Sequence, residues 1–227
     1  MVIISASAIE TYLVINGLYP EPILFIHLNR LYLKKQSVFV LIPLTKSDLN
    51  RKLYGIGANK MNSAEFIEGT VKSTLDNMDI DYEWIEVDPD FADTASFCKK
   101  YGFGMDKSGN TIILASKRGE KKYSACIVLG TDRLDVNKTV RNLMGVSRLS
   151  FANADETMHL TGMMIGGVTP FGLPKSLPIY IDASIMSKDY IILGGGSRSG
   201  KIKIAPSALL NISSAEVIEG LSIPPAS

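Results

Sequence analysis

This chain has few of the side chains from which metal sites and nucleophilic centres are usually built. Its 227 residues include two cysteines, Cys98 and Cys126, without a CxxC spacing, which excludes a zinc ribbon and a disulfide-rich scaffold. Its two histidines, His27 and His159, are too few for a multi-histidine metal site, and no GxSxG nucleophile elbow occurs. The sequence therefore predicts no metal, no cofactor and no strong nucleophile, and its low cysteine content is typical of a reduced, cytoplasmic protein.

The chain also lacks an excess of charge and a long apolar run. Its formal net charge is +1, and residues 61–227 hold 17 basic against 20 acidic residues, so any contact with nucleic acid must be local. The apolar stretch Tyr12–His27 is broken by Pro20, and Ser37–Leu44 is far shorter than the roughly 20 residues that span a bilayer. Met1–Glu10 has no basic start of the kind that signal peptides carry. We therefore expect a soluble protein without a membrane partner.

The pattern of the sequence changes at Met61. Residues 1–60 contain apolar runs without a clean period, whereas residues 61–227 alternate regular helix and strand patterns with clear caps and turns. Two hypotheses remain open for residues 1–60. They are either an extension upstream of a natural start at Met61 or a genuine N-terminal subdomain.

Residues 61–227 predict a mixture of helices and strands. Apolar spacing predicts helices that begin near Asn62, Asp93, Asp135 and Asp155, with the last carrying His159 on its surface. Two β-rich runs joined by a charged turn predict a hairpin. The predicted strands are Tyr82–Val87, Thr111–Ala115, Tyr123–Leu129, Met163–Ile165, Ile179–Ile181, Tyr190–Leu193 and Ile202–Ile204.

Three features in the C-terminal part are typical of a pocket built from backbone amides. Gly166–Pro170 predicts a rigid loop or a simple connecting turn, and Asp182 in an apolar strand is either at an edge or buried with a partner. Gly195–Lys201 fits the GxxxxGK core of a phosphate-binding loop, but Ile202 stands where Ser or Thr is needed and a strand pattern replaces the helix. A hairpin turn, with or without ligand contacts, is the favoured interpretation.

Five segments in order resemble one family. They read DVNKTVRNLMG at Asp135–Gly145, ETMHLTG at Glu156–Gly162, GGVTPFG at Gly166–Gly172, LPIYIDA at Leu177–Ala183 and GGGSR at Gly194–Arg198. On these motifs, residues 61–227 resemble the YbaK-type aminoacyl-tRNA deacylases, which are related to the editing insertion of bacterial prolyl-tRNA synthetase. The resemblance implies an α+β domain with a curved, mostly antiparallel sheet or partly closed barrel flanked by helices.

The resemblance also implies a hydrolase that cleaves the ester bond of mischarged aminoacyl-tRNA and so maintains the fidelity of translation. Its partners would be the 3′ end of aminoacyl-tRNA and an aminoacyl-tRNA synthetase. The implied catalytic residues are Gly166, Asp182 and Asn110. The implied substrate-binding residues are Thr111, Thr161, Gly162, Gly167, Val168, Thr169, Pro170, Gly195, Gly196, Ser197 and Arg198.

The chain departs from the family pattern at Asn110. The family's lysine belongs at this position, and Asn offers a hydrogen-bond donor without a charge. The alternative function is therefore a module that binds aminoacyl-tRNA or an amino acid with weak catalysis or none. A nucleotide hydrolase that uses Lys201 is a third alternative.

Overall fold

The structure, a computed structural model, describes residues 2–6, 10–15, 23–28, 38–43 and 63–223. The chain divides into two compact units, Met1–Met61 and Asn62–Ser227. In the first unit, β1 (Val2–Ala6), β2 (Glu10–Ile15), β3 (Ile23–Leu28) and β4 (Val38–Pro43) pair antiparallel in chain order. The alternative origins of residues 1–60 stay a prediction, and Met61 lies outside the described residues.

The second unit mixes helices with strands. Its helices are α1 (Ser63–Asn77), α2 (Thr94–Tyr101), α3 (Arg141–Leu143, which continues the π-helical turn Val136–Val140) and α4 (Ala154–Thr161). Short 3-10 helices cover Pro89–Phe91, Met105–Lys107, Ala183–Ser187 and Pro206–Asn211. In the part of the chain that the structure describes, no helix combines the length and the apolar character needed to cross a membrane.

The strands of the second unit form three sheets. They are β5 (Tyr82–Glu86), β6 (Gly109–Ser116), β7 (Tyr123–Leu129), β8 (Arg133–Leu134), β9 (Leu149–Phe151), β10 (Ile179–Asp182), β11 (Ile191–Gly194), β12 (Gly200–Ile204), β13 (Ala215–Ile218) and β14 (Ser222–Ile223). The sheets have the orders β13-β10-β7-β6-β9, β11-β12-β5 and β14-β8. Most pairs are antiparallel, but β10 runs parallel to both β7 and β13. The mixed α+β class is therefore confirmed, while the partly closed barrel stays a prediction.

Strand β7 is buried on both faces. Ala125, Ile127 and Leu129 belong to the largest apolar cluster, whereas Cys126 and Val128 belong to a second cluster on the other side. A strand covered on both faces reads as a continuous apolar run, because neither set of alternating side chains meets water. This central strand fixes the position of its antiparallel neighbour β6, which carries the site.

Most predicted elements are confirmed, with corrections at their ends. The hairpin of β6 and β7 is present, and Gly102 ends α2 with a φ of +76°. Helix α4 begins one residue earlier than predicted, because Asn153 and Glu156 form the capping box. The predicted strand Met163–Ile165 is wrong: these residues form a turn in which the Gly167 amide donates to the Met164 carbonyl. The predicted cap Asn62 lies outside the described residues.

Candidate functional site

A cavity of about 610 Å³ lies between β6, the loop that follows α4, and the hairpin of β11 and β12. Its wall is mainly apolar, and its polar groups come from widely separated parts of the second unit. At its mouth, Phe151 is 59% exposed and Ile165 is 52% exposed. The lining residues are Asp93, Thr94, Ala95, Met105, Gly109, Asn110, Thr111, Ile112, Ile113, Phe151, Ala152, Thr157, Ile165, Gly166, Val168, Gly194 and Lys201.

Strand β6 supplies the polar side chains Asn110 and Thr111. The Asn110 Oδ1 atom accepts a hydrogen bond of 2.5 Å from the Thr94 hydroxyl at the first residue of α2. The Thr111 hydroxyl oxygen is buried and has no hydrogen-bond partner within the described residues. A buried hydroxyl without a partner is costly, so this atom is available to a ligand that enters the cavity.

The loop Gly166–Pro170 contributes two residues to the wall of the cavity. Gly166 has a φ of +93°, a conformation that favours glycine, and its neighbour Gly167 accepts a 2.7 Å hydrogen bond from the Gly196 amide. Gly166 and Val168 line the cavity, and within the described residues neither of their N–H groups has a hydrogen-bond partner. Free amides at a cavity wall can bind a carbonyl oxygen or an anion.

Arg198 holds this loop from outside the cavity. Its Nη1 atom donates to the Ile165 carbonyl, and its Nε and Nη2 atoms donate to the Pro89 carbonyl at 3.1 Å and 2.8 Å. Its Nη2 atom also forms a 3.4 Å ion pair with Asp93. Asp93 precedes α2 as predicted, but its carboxylate pairs with Arg198 and accepts no hydrogen bond from the helix. Arg198 therefore positions the wall and does not line the cavity.

Lys201 is a polar lining residue that the sequence interpretation did not assign to the pocket. Only 6% of it is exposed, and its Nζ atom lies 5.1 Å from the centroid of the Phe97 ring. Burial lowers the pKa of its ammonium group to about 8, although Cys98 and Asp93 oppose this change. The GxxxxGK match is the signal in the sequence that points to this lysine.

Of the predicted site residues, the cavity brings together Gly166, Asn110, Thr111 and Val168. Thr157, one turn before the predicted Thr161, is the residue of α4 that lines it. The other predicted residues do not line the cavity; they are Asp182, Thr161, Gly162, Gly167, Thr169, Pro170, Gly195, Gly196, Ser197 and Arg198.

Asp182 is a buried carboxylate with hydrogen-bond partners, which is one of the two alternatives that its apolar strand predicts. It is 3% exposed and accepts hydrogen bonds from the Ser184 amide at 2.9 Å and the Ser222 amide at 2.8 Å. It also accepts one from the Ser184 hydroxyl. These contacts join the end of β10 to β14, so the geometry favours a structural role over a contact with substrate.

Among the residues that the structure describes, none with a thiol or an imidazole lines the cavity. Burial raises the pKa of the Cys126 thiol to about 12, and Cys98 lies 3.1 Å from the Ser108 hydroxyl in the core. His159 is exposed on α4, as predicted. A covalent mechanism through one of these residues is therefore not supported.

The phosphate-loop interpretation of Gly195–Lys201 is wrong in its geometry. Gly194 pairs with Lys201 in an antiparallel hairpin, and β12 continues where a phosphate-binding loop would open a helix. The hairpin-turn interpretation is confirmed.

A family model described as "Aminoacyl-tRNA editing domain" matches residues 88–212, which include every residue that lines the cavity. The chain is 32% identical over 102 residues to the "Uncharacterized protein YwhH" of Bacillus subtilis (strain 168), covering 45% of this chain and 64% of that protein. It is 23% identical over 140 residues to the "Putative Cys-tRNA(Pro)/Cys-tRNA(Cys) deacylase EbsC" of Enterococcus faecalis (strain ATCC 700802 / V583). That match covers 61% of this chain and 81% of EbsC.

Solved structures share the fold over about two thirds of the chain. The hypothetical protein APE2540 is similar with a TM-score of 0.61 and 23% identity, covering 68% of this chain and 99% of that one. A structure titled "putative trans-editing enzyme for prolyl tRNA synthetase" has a TM-score of 0.58 at the same identity, covering 70% and 96%. At this identity the likeness concerns the fold alone.

Proposed function

The chain belongs to the family of aminoacyl-tRNA editing domains, and from this premise we propose that it hydrolyses the ester bond of mischarged aminoacyl-tRNA in the cavity beside β6. Membership agrees with the resemblance to YbaK-type deacylases that five sequence motifs indicate. One observation carries the proposal: Gly166 and Val168 line the cavity with two N–H groups that lack partners within the described residues.

These amides suit the chemistry of ester hydrolysis. When water attacks the ester carbon, a bond forms between the water oxygen and this carbon, and the carbonyl oxygen gains negative charge. The bond between the carbon and the ribose oxygen then breaks, and the ribose oxygen leaves with a proton. Removal of one donor from such an oxyanion site costs about 3 kcal/mol of transition-state stabilisation. Orientation of the water adds to the rate, so the reaction needs no protein nucleophile. This agrees with the described lining of the cavity, which contains no thiol and no imidazole.

The mouth of the cavity suits the end of a tRNA. Phe151 and Ile165 are exposed apolar residues at the rim, and a base stacks favourably on an aromatic side chain. In the proposed complex, the terminal adenosine lies against this rim while the aminoacyl group enters the cavity. The same proposal includes a synthetase partner, a role in the fidelity of translation and a cytoplasmic location.

The experiment is the replacement of Gly166 by Ala in a deacylation assay across a panel of mischarged tRNAs. An added Cβ atom would lie 2.6 Å from the Arg198 Nη1 atom, at a φ of +93°. We expect kcat/KM to fall by roughly a hundredfold, the size of effect seen when an oxyanion donor is lost. Gly119→Ala is the matched control, since Gly119 has a φ of +72° and its added Cβ meets no atom within 4 Å. Equal activity of Gly166→Ala and Gly119→Ala would contradict the proposal.

The second candidate function is a binding module with little catalysis, and Asn110 favours it. Its Oδ1 atom is occupied by the Thr94 hydroxyl, and the side chain carries no charge. The discriminating variant is Asn110→Lys. An inactive wild type whose Asn110→Lys variant gains deacylase activity would favour the binding module, whereas an active wild type favours editing.

We also propose that residues 61–227 form the editing unit and that its sheets form a partly closed barrel. A parallel bridge between Ser108 and Ile192 brings the start of β6 beside β11, which supports closure along this edge. A crystal structure of the unit would test it, since an open edge on β6 at this bridge would contradict it.

A further inference from the structure

Lys201 places a buried ammonium group at the wall of the cavity. It follows the turn of the β11–β12 hairpin, and its register partners are Gly194 on β11 and Ile85 on β5. Its Nζ atom lies over the Phe97 ring, and within the described residues it has no hydrogen bond and no ion pair. The half-buried Lys203, two residues along the same strand, instead forms a 2.8 Å ion pair with Glu83.

An ammonium group buried in this way is unfavourable unless an anion completes its surroundings. The aromatic ring offsets part of the cost, since cation–π contacts contribute about 0.5–2 kcal/mol. The charged groups nearest to it do not complete the site. Asp93 pairs with Arg198, which is itself a cation, and the Cys98 sulfur is engaged with Ser108. Within the described residues no carboxylate forms an ion pair with the Lys201 ammonium group, and the one acid that also lines the cavity, Asp93, is paired with Arg198.

We propose that Lys201 binds an oxyanion of the ligand, a carboxylate or a phosphate, and so makes the cavity selective for ligands that carry negative charge. The assignment rests on the proposed function, because the ligand is taken to be an aminoacylated nucleotide end. Two parts of such a ligand offer the chemistry. One is the side-chain carboxylate of an acidic amino acid, and the other is the 5′-phosphate of the terminal adenosine.

Proton binding gives this proposal a second observable. Burial holds the pKa of Lys201 at about 8, with Asp93 and Cys98 raising it and Arg198 lowering it. An anion bound beside the ammonium group must raise this pKa, because it stabilises the charged form. Ligand binding at about pH 8 should therefore be accompanied by proton uptake at Lys201.

The experiment uses stable amide analogues of the aminoacyl ester and the full chain. The probes are 3′-alanylamino-3′-deoxyadenosine, its 5′-phosphate, and 3′-aspartylamino-3′-deoxyadenosine. Dissociation constants and proton uptake are measured calorimetrically at about pH 8 in two buffers of different ionisation enthalpy. The variants are Lys201→Met, which removes the charge, and Lys203→Met, a control on the same strand whose lysine is half-buried and ion-paired with Glu83.

We expect wild type and Lys203→Met to bind one of the two probes that carry an anionic group roughly tenfold more tightly than the alanyl nucleoside, which carries none, with proton uptake. Lys201→Met should bind all three probes alike and take up fewer protons than Lys203→Met, since the α-amino group common to the probes titrates equally in both variants. If the aspartyl probe binds more tightly, Lys201 binds the side-chain carboxylate of the amino acid. If the 5′-phosphate probe binds more tightly, Lys201 binds the phosphate of the terminal adenosine.

Two outcomes would overturn the proposal in different ways. If the probes bind but Lys201→Met keeps the preference for an anionic probe, the role of Lys201 is wrong while the proposed function stands. If no probe binds to the wild type, both are wrong. Hydrolysis is measured separately on mischarged tRNA, so an anion-selective but inactive protein would contradict only the proposed function.

Discussion

At the scale of single residues, Lys201 shows how burial changes the stability of the fold with pH. Its pKa is about 8 in the folded state and 10.5, the ordinary lysine value, in the unfolded chain, so the folded state binds fewer protons between these values. The free energy of unfolding must then rise with pH across this window, and below about pH 8 the full cost applies. At 1.36 kcal/mol per pKa unit, that cost is on the order of 3 kcal/mol.

The resulting prediction concerns Lys201→Met. We expect this variant to be more stable than the wild type at about pH 7, and the difference to shrink as the pH rises towards about 10. Urea unfolding of both proteins across this pH range measures the difference in their free energies of unfolding. The titration of all other groups is common to both proteins and cancels in this difference. A difference that stays constant with pH would show that the lysine is not buried in its charged form.

Asp182 yields the opposite kind of prediction, a loss of stability without a loss of catalysis. Asp182→Ala removes the acceptor for the Ser184 and Ser222 amides, and unsatisfied buried donors cost about 1–3 kcal/mol. Thermal unfolding measures this loss, and kcat on mischarged tRNA at a temperature where the variant is folded should stay near that of the wild type. Asp189→Ala is the control, because this exposed partner of Lys107 should contribute less than about 1 kcal/mol. A large fall in kcat for folded Asp182→Ala would restore the catalytic role predicted from the sequence.

These residues mark the limit of prediction from local sequence. Asp182 and Lys201 both interrupt apolar strands, and the sequence does not reveal whether such a charge faces a partner or a cavity. The partner of Asp182 is Ser222, 40 residues later, and the surroundings of Lys201 include Phe97, on a helix more than 100 residues earlier. The cavity position of Gly166 could be predicted from the motif GGVTPFG, and that of Asn110 from its place at the position of the family's lysine.

At the scale of elements, the glycines of the β11–β12 hairpin serve close packing. Gly196 has a φ of +95°, and a Cβ atom on Gly200 would overlap the ring of Trp84. On the neighbouring loop, a Cβ atom on Gly167 would overlap the Ser197 backbone. These glycines let the hairpin approach β5 and the Gly166–Pro170 loop. The contact with a ligand that the sequence predicts for several of them stays a prediction.

The hairpin prediction is a double-mutant cycle on Gly200 and Trp84. Gly200→Ala should destabilise the protein by about 1–3 kcal/mol, because overpacking forces the ring or the backbone to move. Trp84→Leu removes the obstructing ring, so adding Gly200→Ala to it should cost much less than in the wild type. Urea unfolding of the four proteins, followed by circular dichroism, gives the coupling energy. Additive effects of the two substitutions would contradict the proposed packing.

The ends of elements were predictable where a cap or turn signal was strong. Gly102 and Gly145 end their helices with positive φ, as their positions after apolar stretches predict. The run Met163–Ile165 was predicted as a strand, because three apolar residues carry no periodicity that separates a strand from a turn. The glycines that follow allow the chain to turn there instead.

At the scale of the whole molecule, the cavity depends on an arrangement that periodicity does not encode. The parallel pairing of β10 with β7 requires a long connection, and no local pattern specifies which strands become neighbours. The cavity then collects residues from α2, β6, α4 and both strands of the hairpin. The family resemblance predicted this common site through the order of its motifs, whereas composition and spacing predicted only helices and strands.

The last prediction is that Met61–Ser227 folds and acts without residues 1–60. Every apolar cluster among the described residues is formed by side chains between Ile67 and Leu221, and a unit with its own core can fold alone. The lining of the cavity also falls within this range. We therefore expect the fragment to unfold cooperatively with a Tm within about 4 °C of the matching transition in the full chain, a shift that corresponds to less than about 1 kcal/mol. Calorimetry of the two proteins measures this, and the Gly166→Ala effect on deacylation should be the same in both.

A fragment that is folded but inactive would show that residues 1–60 contribute to the site, and a fragment that does not fold would make them part of the domain.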